Sequence, residues 1–414
     1  MKSRTVITLW IIALLLAASV FFLKKSGSGD EKNATNRSAG ETLVQDFPAE
    51  KAASIEITGV ESTVTLTKND GTWVVAQRDN FPADTTAIHE LLRSIGNLKV
   101  TQGIEAGPSF AARFGMDETS SDPTQHGLTA NFKDVDGNEL AKISFGKNLD
   151  SASSASPFGG GSTGRFVRNH ADESGFYAVS ELFSSLSADP KNWLSEDFLK
   201  IEKIQTIDLT QPGSDKSEWT LTRDDEDSDF RFTEAFPGVN TDPAATAPLK
   251  SLFSYTRFED VIPSADAEKR TTPDKLQIAK INTFEGFEYE IALQPAKPAA
   301  GQETSDNFLM TVAVSADLPK ERNKPADEKA EDAEAADKAF SERLETLSKR
   351  LAATKALEGR TFIVSKFTVD ALLKNRTDLM NKGSGPGATA PPVPPGTSAV
   401  TDPIQIPAAP SSEE

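Results

Sequence analysis

Apolar and polar residues alternate over residues 53–77 of the chain, and a helical stripe of apolar residues then follows. The alternation has the period of half-buried β-strands, and an Asn-Asp-Gly sequence at residues 69–71 marks a tight turn between two of them. Pro82 forbids continued pairing inside a sheet, and the next apolar residues recur at the spacing of one helix face. Those residues are Ile88, Leu91, Leu92 and Ile95. The pattern predicts three antiparallel strands and a helix that covers their sheet.

The same order of signals returns about 155 residues later. Residues 206–236 predict three further strands, and a Phe-Pro pair stands at residues 236–237 as it does at residues 81–82. A second helical stripe consists of Leu249, Leu252 and Phe253. Later hairpins also correspond, over residues 128–146 and 276–294. We therefore predict an α+β fold, a tandem duplication of an antiparallel-sheet module with covering helices.

The repeat divides the body of the chain into two modules, residues 46–200 and residues 201–380. The second module carries a charged insertion over about residues 318–359, which we expect to be helical from about residue 326. This helix has a narrow apolar seam formed by Phe340, Leu344, Leu347 and Leu351. The seam could pack on its own body or pair with a partner.

An uncharged apolar stretch over residues 5–23 lies between a basic N-terminus and a pair of lysines. As a helix it would be roughly 28 Å long, close to the thickness of a bilayer core. We predict a transmembrane anchor over residues 1–25, a flexible spacer over residues 26–45 and a disordered Pro/Ala-rich tail over residues 381–414.

A cleaved signal peptide is the alternative to this anchor, because residues 17–19 loosely match a cleavage site. The stretch is longer than the apolar core of most signal peptides, which favours an anchor that stays attached. Long domains that follow a first span cross the membrane largely regardless of their charge. We expect a single-pass protein of a bacterial inner membrane, with a cytoplasmic N-terminus and its body in the periplasm.

Charge and cysteine content exclude several classes of function. The formal net charge is −18, which opposes binding to nucleic acid and to anionic lipid headgroups. The chain contains no cysteine, so it has no disulfides, no thiolate metal sites and no cysteine nucleophile.

No motif in the sequence points to a particular reaction. Residues 159–164 (Gly-Gly-Gly-Ser-Thr-Gly) satisfy both a dinucleotide fingerprint and a nucleophile elbow around Ser162, but a strand-like segment follows where both motifs need a helix. The histidines His89, His126 and His170 are scattered and lack the spacing of metal ligands. We therefore predict no catalytic, cofactor-binding or metal-binding residue and no cofactor.

The first module resembles a known bacterial family. The segments that carry the resemblance are "VTLTKNDGTWVVA", "FPADTTAIHELLRSIGNLKV", "FGMD", "DGNELAKISFG", "GRFVR", "FYAVSELFSSL" and "WLSEDFLKIEKIQTIDL". Together with the first strand they are similar to the domain-of-unknown-function 4340 family over about residues 47–209, and the second module is similar to it more weakly. The resemblance implies one N-terminal membrane span and a protein partner, because members are often encoded beside ABC transporters of the gliding-motility type. The charged insertion and the Pro-rich tail depart from the family pattern.

Two functions are consistent with these features. The first is a non-enzymatic, membrane-anchored accessory or scaffold protein of an envelope ABC-transporter complex. The alternative is an envelope hydrolase or carbohydrate-binding enzyme that uses scattered carboxylates. A deep cleft with convergent acidic or histidine side chains would favour the alternative, and broad surfaces would favour the scaffold.

Overall fold

The computed structural model of the protein describes residues 37–150, 162–172, 175–234, 239–298, 305–324 and 328–381. The apolar stretch at residues 5–23 and nearly all of the predicted tail lie outside these ranges. Within them, no helix is both long and apolar enough to cross a membrane.

The first antiparallel sheet has nine strands in the order β4-β3-β2-β1-β6-β7-β8-β9-β5. Its strands are β1 (Ser54–Thr58), β2 (Thr63–Asn69), β3 (Thr72–Val75), β4 (Phe81–Pro82), β5 (Val100–Gly103), β6 (Leu128–Lys133), β7 (Glu139–Asp150), β8 (Ser162–Asn169) and β9 (Phe176–Val179). Its helices are α1 (Thr85–Asn97), α2 (Ala111–Phe114) and α3 (Pro123–His126). Helix α1 covers one face of the sheet, and α2 and α3 belong to a segment on the other face.

The second antiparallel sheet has eight strands in the order β12-β11-β10-β14-β15-β16-β17-β13. Its strands are β10 (Ile204–Thr210), β11 (Ser217–Thr222), β12 (Arg231–Phe232), β13 (Asp260–Ile262), β14 (Gln277–Thr283), β15 (Phe287–Pro295), β16 (Asn307–Ala316) and β17 (Thr361–Ser365). Its helices are α4 (Pro243–Lys250), α5 (Ser264–Arg270), α6 (Ala330–Lys355) and α7 (Lys366–Val369). With β3 and β4 matched to β12, the two sheets have the same strand order, and the α+β class is confirmed.

Local sequence signals explain the first helix of each sheet. Asp84 caps α1 by accepting a hydrogen bond from the amide of Ala87, and Asp242 caps α4 by accepting one from Ala244. The predicted stripe of α1 is buried against the sheet, with Ile88 and Ile95 fully enclosed. The apolar face and the cap together account for where α1 begins and which side it presents.

The two sheets end in matching contacts with the segments that follow them. The amide of Asp84 donates to the carbonyl of Trp193 at 2.8 Å, and the amide of Asp242 donates to that of Leu379 at the same distance. One residue further along each closing segment, Ala83 bridges Leu194 and Thr241 bridges Met380. Both helices are therefore tied at the same point to the C-terminal end of their own module.

The third strand differs between the two sheets. Strand β12 has only two residues, so the strand predicted over residues 229–236 is shorter than expected, and residues 235–238 lie outside the described part of the chain. Trp73 and Phe230 nevertheless occupy comparable sites. Each stands two residues before a residue paired with a core leucine, Leu66 or Leu221, and each is buried, at 2 % and 1 % exposure.

The packed chain begins earlier than the predicted spacer boundary at residue 45. The side chain of Leu43 is fully buried, and its amide donates to the carbonyl of Leu98 at 2.7 Å. The amide of Gly40 bonds to the carbonyl of Val100 at 2.8 Å, beside the edge strand β5. Residues 40–43 thus protect a sheet edge that would otherwise be open to another strand.

The charged insertion is helical, as its composition predicts, and its seam packs on its own body. Leu347 is buried, and Leu351 packs against the main core. Arg350 binds the carboxylates of Glu202, at 3.2 Å, and Glu285, and its guanidinium lies 4.5 Å from the ring centre of Phe287. The helix therefore adds a layer to the second sheet, at the position where residues 170–175 connect β8 and β9 in the first sheet.

The two sheets meet at a cluster of four aromatic rings. Phe81 of the edge strand β4 lies 5.5 Å from Phe258 and 6.0 Å from Phe362, and Phe198 contacts both of these second-module rings. Beside them, Arg78 forms a two-pronged ion pair with Asp260, at 2.6 and 2.9 Å. One continuous hydrophobic core consequently runs through both sheets.

Replacing Trp73 by alanine should test the packing at the third strand. Because the ring is almost completely buried, Trp73→Ala should lower the free energy of unfolding by about 3–5 kcal/mol, measured by chemical denaturation. Tyr255 is 94 % exposed, so Tyr255→Ala is the matched control and should leave stability nearly unchanged. A loss below about 1 kcal/mol for the Trp73 variant would show that the ring contributes little to the core.

Candidate functional site

The outer face of the first sheet is covered by the segment between β5 and β6. Ala111, Met116 and Phe176 form a small separate core there, with Phe114 and Phe166 packed against it. Gly127 lets this segment lie against β7, because a Cβ at this position would stand 2.4 Å from the carbonyl oxygen of Phe145. The close approach brings the polar residues of the segment onto the outer face of the sheet.

Four side chains meet beneath this segment in a network that we call the polar cluster: Glu118, Thr129, Ser144 and His170. The Ser144 hydroxyl lies 2.7 Å from Nε2 of His170 and 2.9 Å from the hydroxyl of Thr129. Thr129 also donates to the Glu118 carboxylate at 3.1 Å. Because Ser144 and Thr129 are almost completely buried, the cluster satisfies polar groups that water cannot reach.

The electrostatics of the cluster keep its histidine neutral. Burial, together with the nearby cations of Lys142 and Arg168, lowers the pKa of His170 to about 4. Burial acts to raise the pKa of Glu118, but Lys142 at 3.3 Å, together with His170 and the hydrogen bond from Thr129, holds the pKa of this carboxyl below its usual value. At neutral pH the cluster therefore contains a neutral imidazole beside an ionised carboxylate.

A cavity of about 250 Å³ opens next to the cluster, between the outer face of the sheet and the covering segment. Its lining residues are Glu56, Thr58, Glu118, His126, Thr129, Asn131 and Lys142. Within the described structure, the buried Oδ1 atom of Asn131 has no hydrogen-bond partner. The cavity thus offers both acceptors and an ammonium donor to a small polar group.

The geometry of the cluster differs from that of a hydrolytic triad. In a triad the acid orients the histidine through the ring nitrogen that does not contact the nucleophile. Here Glu118 lies 3.5 Å from Nε2 of His170, the same nitrogen that contacts Ser144. Ser144 is also 1 % exposed, so no substrate carbon could reach its hydroxyl in this arrangement.

The residues singled out in the sequence lie in different parts of the structure. His170 belongs to the polar cluster, and His126 is buried nearby, with Nδ1 2.8 Å from the carbonyl of Ser120. His89 is exposed on α1, far along the chain from both. Ser162 begins strand β8 opposite Asp150, so the segment after the glycines is a strand, as predicted. Among the described residues, no group of three or more His, Asp or Glu side chains could hold a metal ion.

Sequence reasoning missed Ser144 and Glu118. Ser144 occupies an outward position of β7 between the core residues Ile143 and Phe145, where a polar residue is ordinary. Glu118 is one of many carboxylates and comes close only because the covering segment folds back over the sheet. The only sequence signal for Ser144 was the alternation of apolar and polar residues in β7. It indicates the face of the sheet on which Ser144 lies, but not the segment that covers that face.

Comparison with known proteins found one family that part of the chain resembles. The model described as "Domain of unknown function (DUF4340)" matches residues 73–276. The chain resembles the DUF4340 family. The match begins at Trp73 in β3, later than expected, and extends into the second module, where the resemblance was expected to be weaker, as far as the residue before β14. The DUF4340 match thus includes the outer-face segment, the polar cluster and the part of the junction formed by Phe81, Phe198 and Phe258, but not Phe362. No curated protein and no solved structure shows a significant match.

The half-buried His170 should make stability depend on pH. The pKa of His170 is about 4 in the folded protein and 6.5 in an unperturbed chain, so the unfolded chain binds more protons between these values. The free energy of unfolding should therefore rise with pH across this window and level off above it. Because His170 is only partly buried and water screens its charge, its effect on the free energy of unfolding should be smaller than the roughly 3 kcal/mol that the full shift would give.

His170→Gln supplies the comparison, since carboxylates titrate in part of the same window in both proteins. Urea unfolding between pH 4 and pH 7 should give a shallower pH dependence for the variant than for the parent protein. Parallel curves would show that His170 is not held in its neutral form by folding.

Proposed function

We propose that the protein is a non-enzymatic, membrane-anchored accessory or scaffold protein on the periplasmic side of a bacterial inner membrane, associated with an envelope ABC-transporter complex. The uncharged stretch at residues 5–23 supports the anchor. The resemblance to the DUF4340 family supports the transporter association, because members are often encoded beside such transporters.

The observation that carries the scaffold proposal is the junction between the two sheets. Phe81, Phe258 and Phe362 are packed ring against ring at the point where the edge strands β4 and β13 approach each other. Arg78 and Asp260 form a two-pronged pair that is mostly shielded from solvent, with 16 % and 20 % of the side chains exposed. Such a junction opposes hinge motion between the sheets, and a rigid body suits the presentation of surface to a partner.

The repeated strand order supports a tandem duplication, since both sheets also tie their first helix to matching closing segments. A duplication roughly doubles the sheet surface available to partners without requiring a new fold. Helix α6 adds a further face to the second copy only, which allows the two halves to serve different contacts.

Recovery of a transporter from native membranes would test this proposal. A tagged full-length protein should remain in the membrane fraction and should co-purify with a permease or ATPase subunit of an ABC transporter. The matched control is the segment of residues 1–45 fused to an unrelated periplasmic domain, which should be anchored but should not retain the transporter. Equal recovery with the control, or a protein found in the soluble periplasm, would contradict the proposal.

An envelope hydrolase is the second candidate, and one observation favours it. The Ser144 hydroxyl and Nε2 of His170 are 2.7 Å apart, with the Glu118 carboxylate next to both. Movement of the covering segment could expose this group of side chains and change their geometry. The buried serine and the misplaced acid make it the weaker candidate.

Complementation of a deletion strain separates the two candidates. Ser144→Ala and Ser162→Ala both remove one hydroxyl, but only the first lies in the polar cluster. A scaffold should tolerate both substitutions at normal membrane abundance, with less than about a twofold loss of function. Loss of function confined to Ser144→Ala, in a protein that folds normally, would instead favour the hydrolase.

A further inference from the structure

An open groove of about 570 Å³ lies between α1 and the segment that leads into β1. The segment contributes Phe47 and Glu50 to one wall, and α1 contributes His89, Leu92 and Arg93 to the other. Trp73 and Lys68, neighbours across the β2–β3 hairpin, complete the floor and one end. This volume falls within the range of small-molecule sites in proteins, roughly 300–1,000 Å³.

The groove concentrates positive charge on a strongly acidic protein. Lys68 and Arg93 are both exposed, and neither has an ion-pair partner within 4 Å in the described structure. His89 adds a third basic group, and Glu50 is the single carboxylate of the lining. Because the chain as a whole carries a net charge of −18, two unpaired cations over one apolar floor are not explained by the general surface composition.

The second module shows that the fold does not require these cations. Extending the β11–β12 pairing by one residue places Arg223 opposite Phe230, as Lys68 stands opposite Trp73. Arg223 is buried, lies 5.3 Å from the ring centre of Phe230 and donates to the carbonyl of Ile204. The positive charge of Arg223 is therefore held by contacts within the second module and does not face an open groove.

The helix of the second module has no basic side chain at the two basic positions of the groove, and its own Lys250, at the position of Leu92, is paired with Asp229. Counting from the capping residues Asp84 and Asp242, the positions of His89 and Arg93 correspond to Ala247 and Ser251. The same fold therefore has these basic residues in the first module and lacks them in the second. Folding of the module does not require them.

We propose that this groove binds a small ligand in which an anionic group, a carboxylate or a phosphate, is joined to an aromatic or other apolar group. Lys68 and Arg93 would bind the anion, and Phe47 and Leu92 would contact the apolar part. The ligand site adds to the scaffold function and does not depend on it, because it is built entirely within the first module, from its sheet, α1 and the segment that leads into β1.

Three probes that share one ring system test this assignment: 1-naphthyl phosphate, 1-naphthoate and the neutral 1-naphthalenemethanol. Isothermal titration calorimetry on the full chain should show saturable binding of at least one anionic probe and at least tenfold weaker binding of the neutral one. Affinity should fall as salt is added, because the attracting charges are exposed. Preference for the phosphate or the carboxylate identifies the anion that the groove accepts.

Substitutions then locate the binding. The double variant Lys68→Ala/Arg93→Ala should weaken binding of the anionic probe at least tenfold, and Lys68→Arg/Arg93→Lys should retain it. The matched control is Lys216→Ala/Lys280→Ala, which removes two exposed cations from the second module and should leave affinity unchanged. Thermal unfolding should show that all the variants are folded.

Three outcomes would overturn the assignment. In the first, neither anionic probe binds saturably at millimolar concentration. In the second, the neutral probe binds as tightly as the anionic probes. In the third, the control variant loses as much affinity as the groove variant. The last outcome would show that general surface charge, and not the groove, attracts the probe.

Discussion

The packing of Phe81 against the second module is the constraint on which the rest of the structure depends. Its ring is 1 % exposed although it belongs to a two-residue edge strand, because Phe258 and Phe362 cover it from the other sheet. The Pro82 that follows prevents further pairing of β4, and the carbonyl of Pro82 accepts a hydrogen bond from Ser195 in the connecting segment. An edge that could recruit foreign strands is thus used internally, and two sheets become one body.

Local sequence patterns were sufficient to predict the helices and strands, but they could not predict the junction between the two sheets. The stripe of Ile88 and Ile95 and the cap at Asp84 depend on residues a few positions apart, so helix α1 could be predicted. Arg78 and Asp260 are 182 residues apart, and no periodicity connects them. Strand β12 is shorter than the alternation over residues 229–236 predicts, because the strand ends at Phe232 and the amide of Thr233 adds one more hydrogen bond to β11.

The polar cluster shows a second limit of sequence reasoning. Ser144 and His170 come together because β7 and β8 are paired, yet the burial of Ser144 comes from a segment that folds back from β5. Burial and neighbouring cations, not the spacing of the residues, lower the pKa of His170. The alternation of apolar and polar residues in a strand indicates only which face of the sheet a residue occupies. It does not indicate which segment covers that face or how the cover changes the pKa of a side chain.

The differences between the two copies are more informative about function than the shared strand order. The strand order that both modules share is what the module needs in order to fold. Features that differ between the modules are not needed for folding, and they can therefore serve a function. The β8–β9 turn of the first copy is replaced by helix α6 in the second, where Glu285, 9 % exposed, accepts from Arg350 and so holds the helix on the body. The exposed Lys68 of the first copy is replaced by a buried Arg223 that fills its own site. One copy has therefore acquired a covering layer and the other has kept an open cationic groove, so the two halves present different surfaces on the same framework.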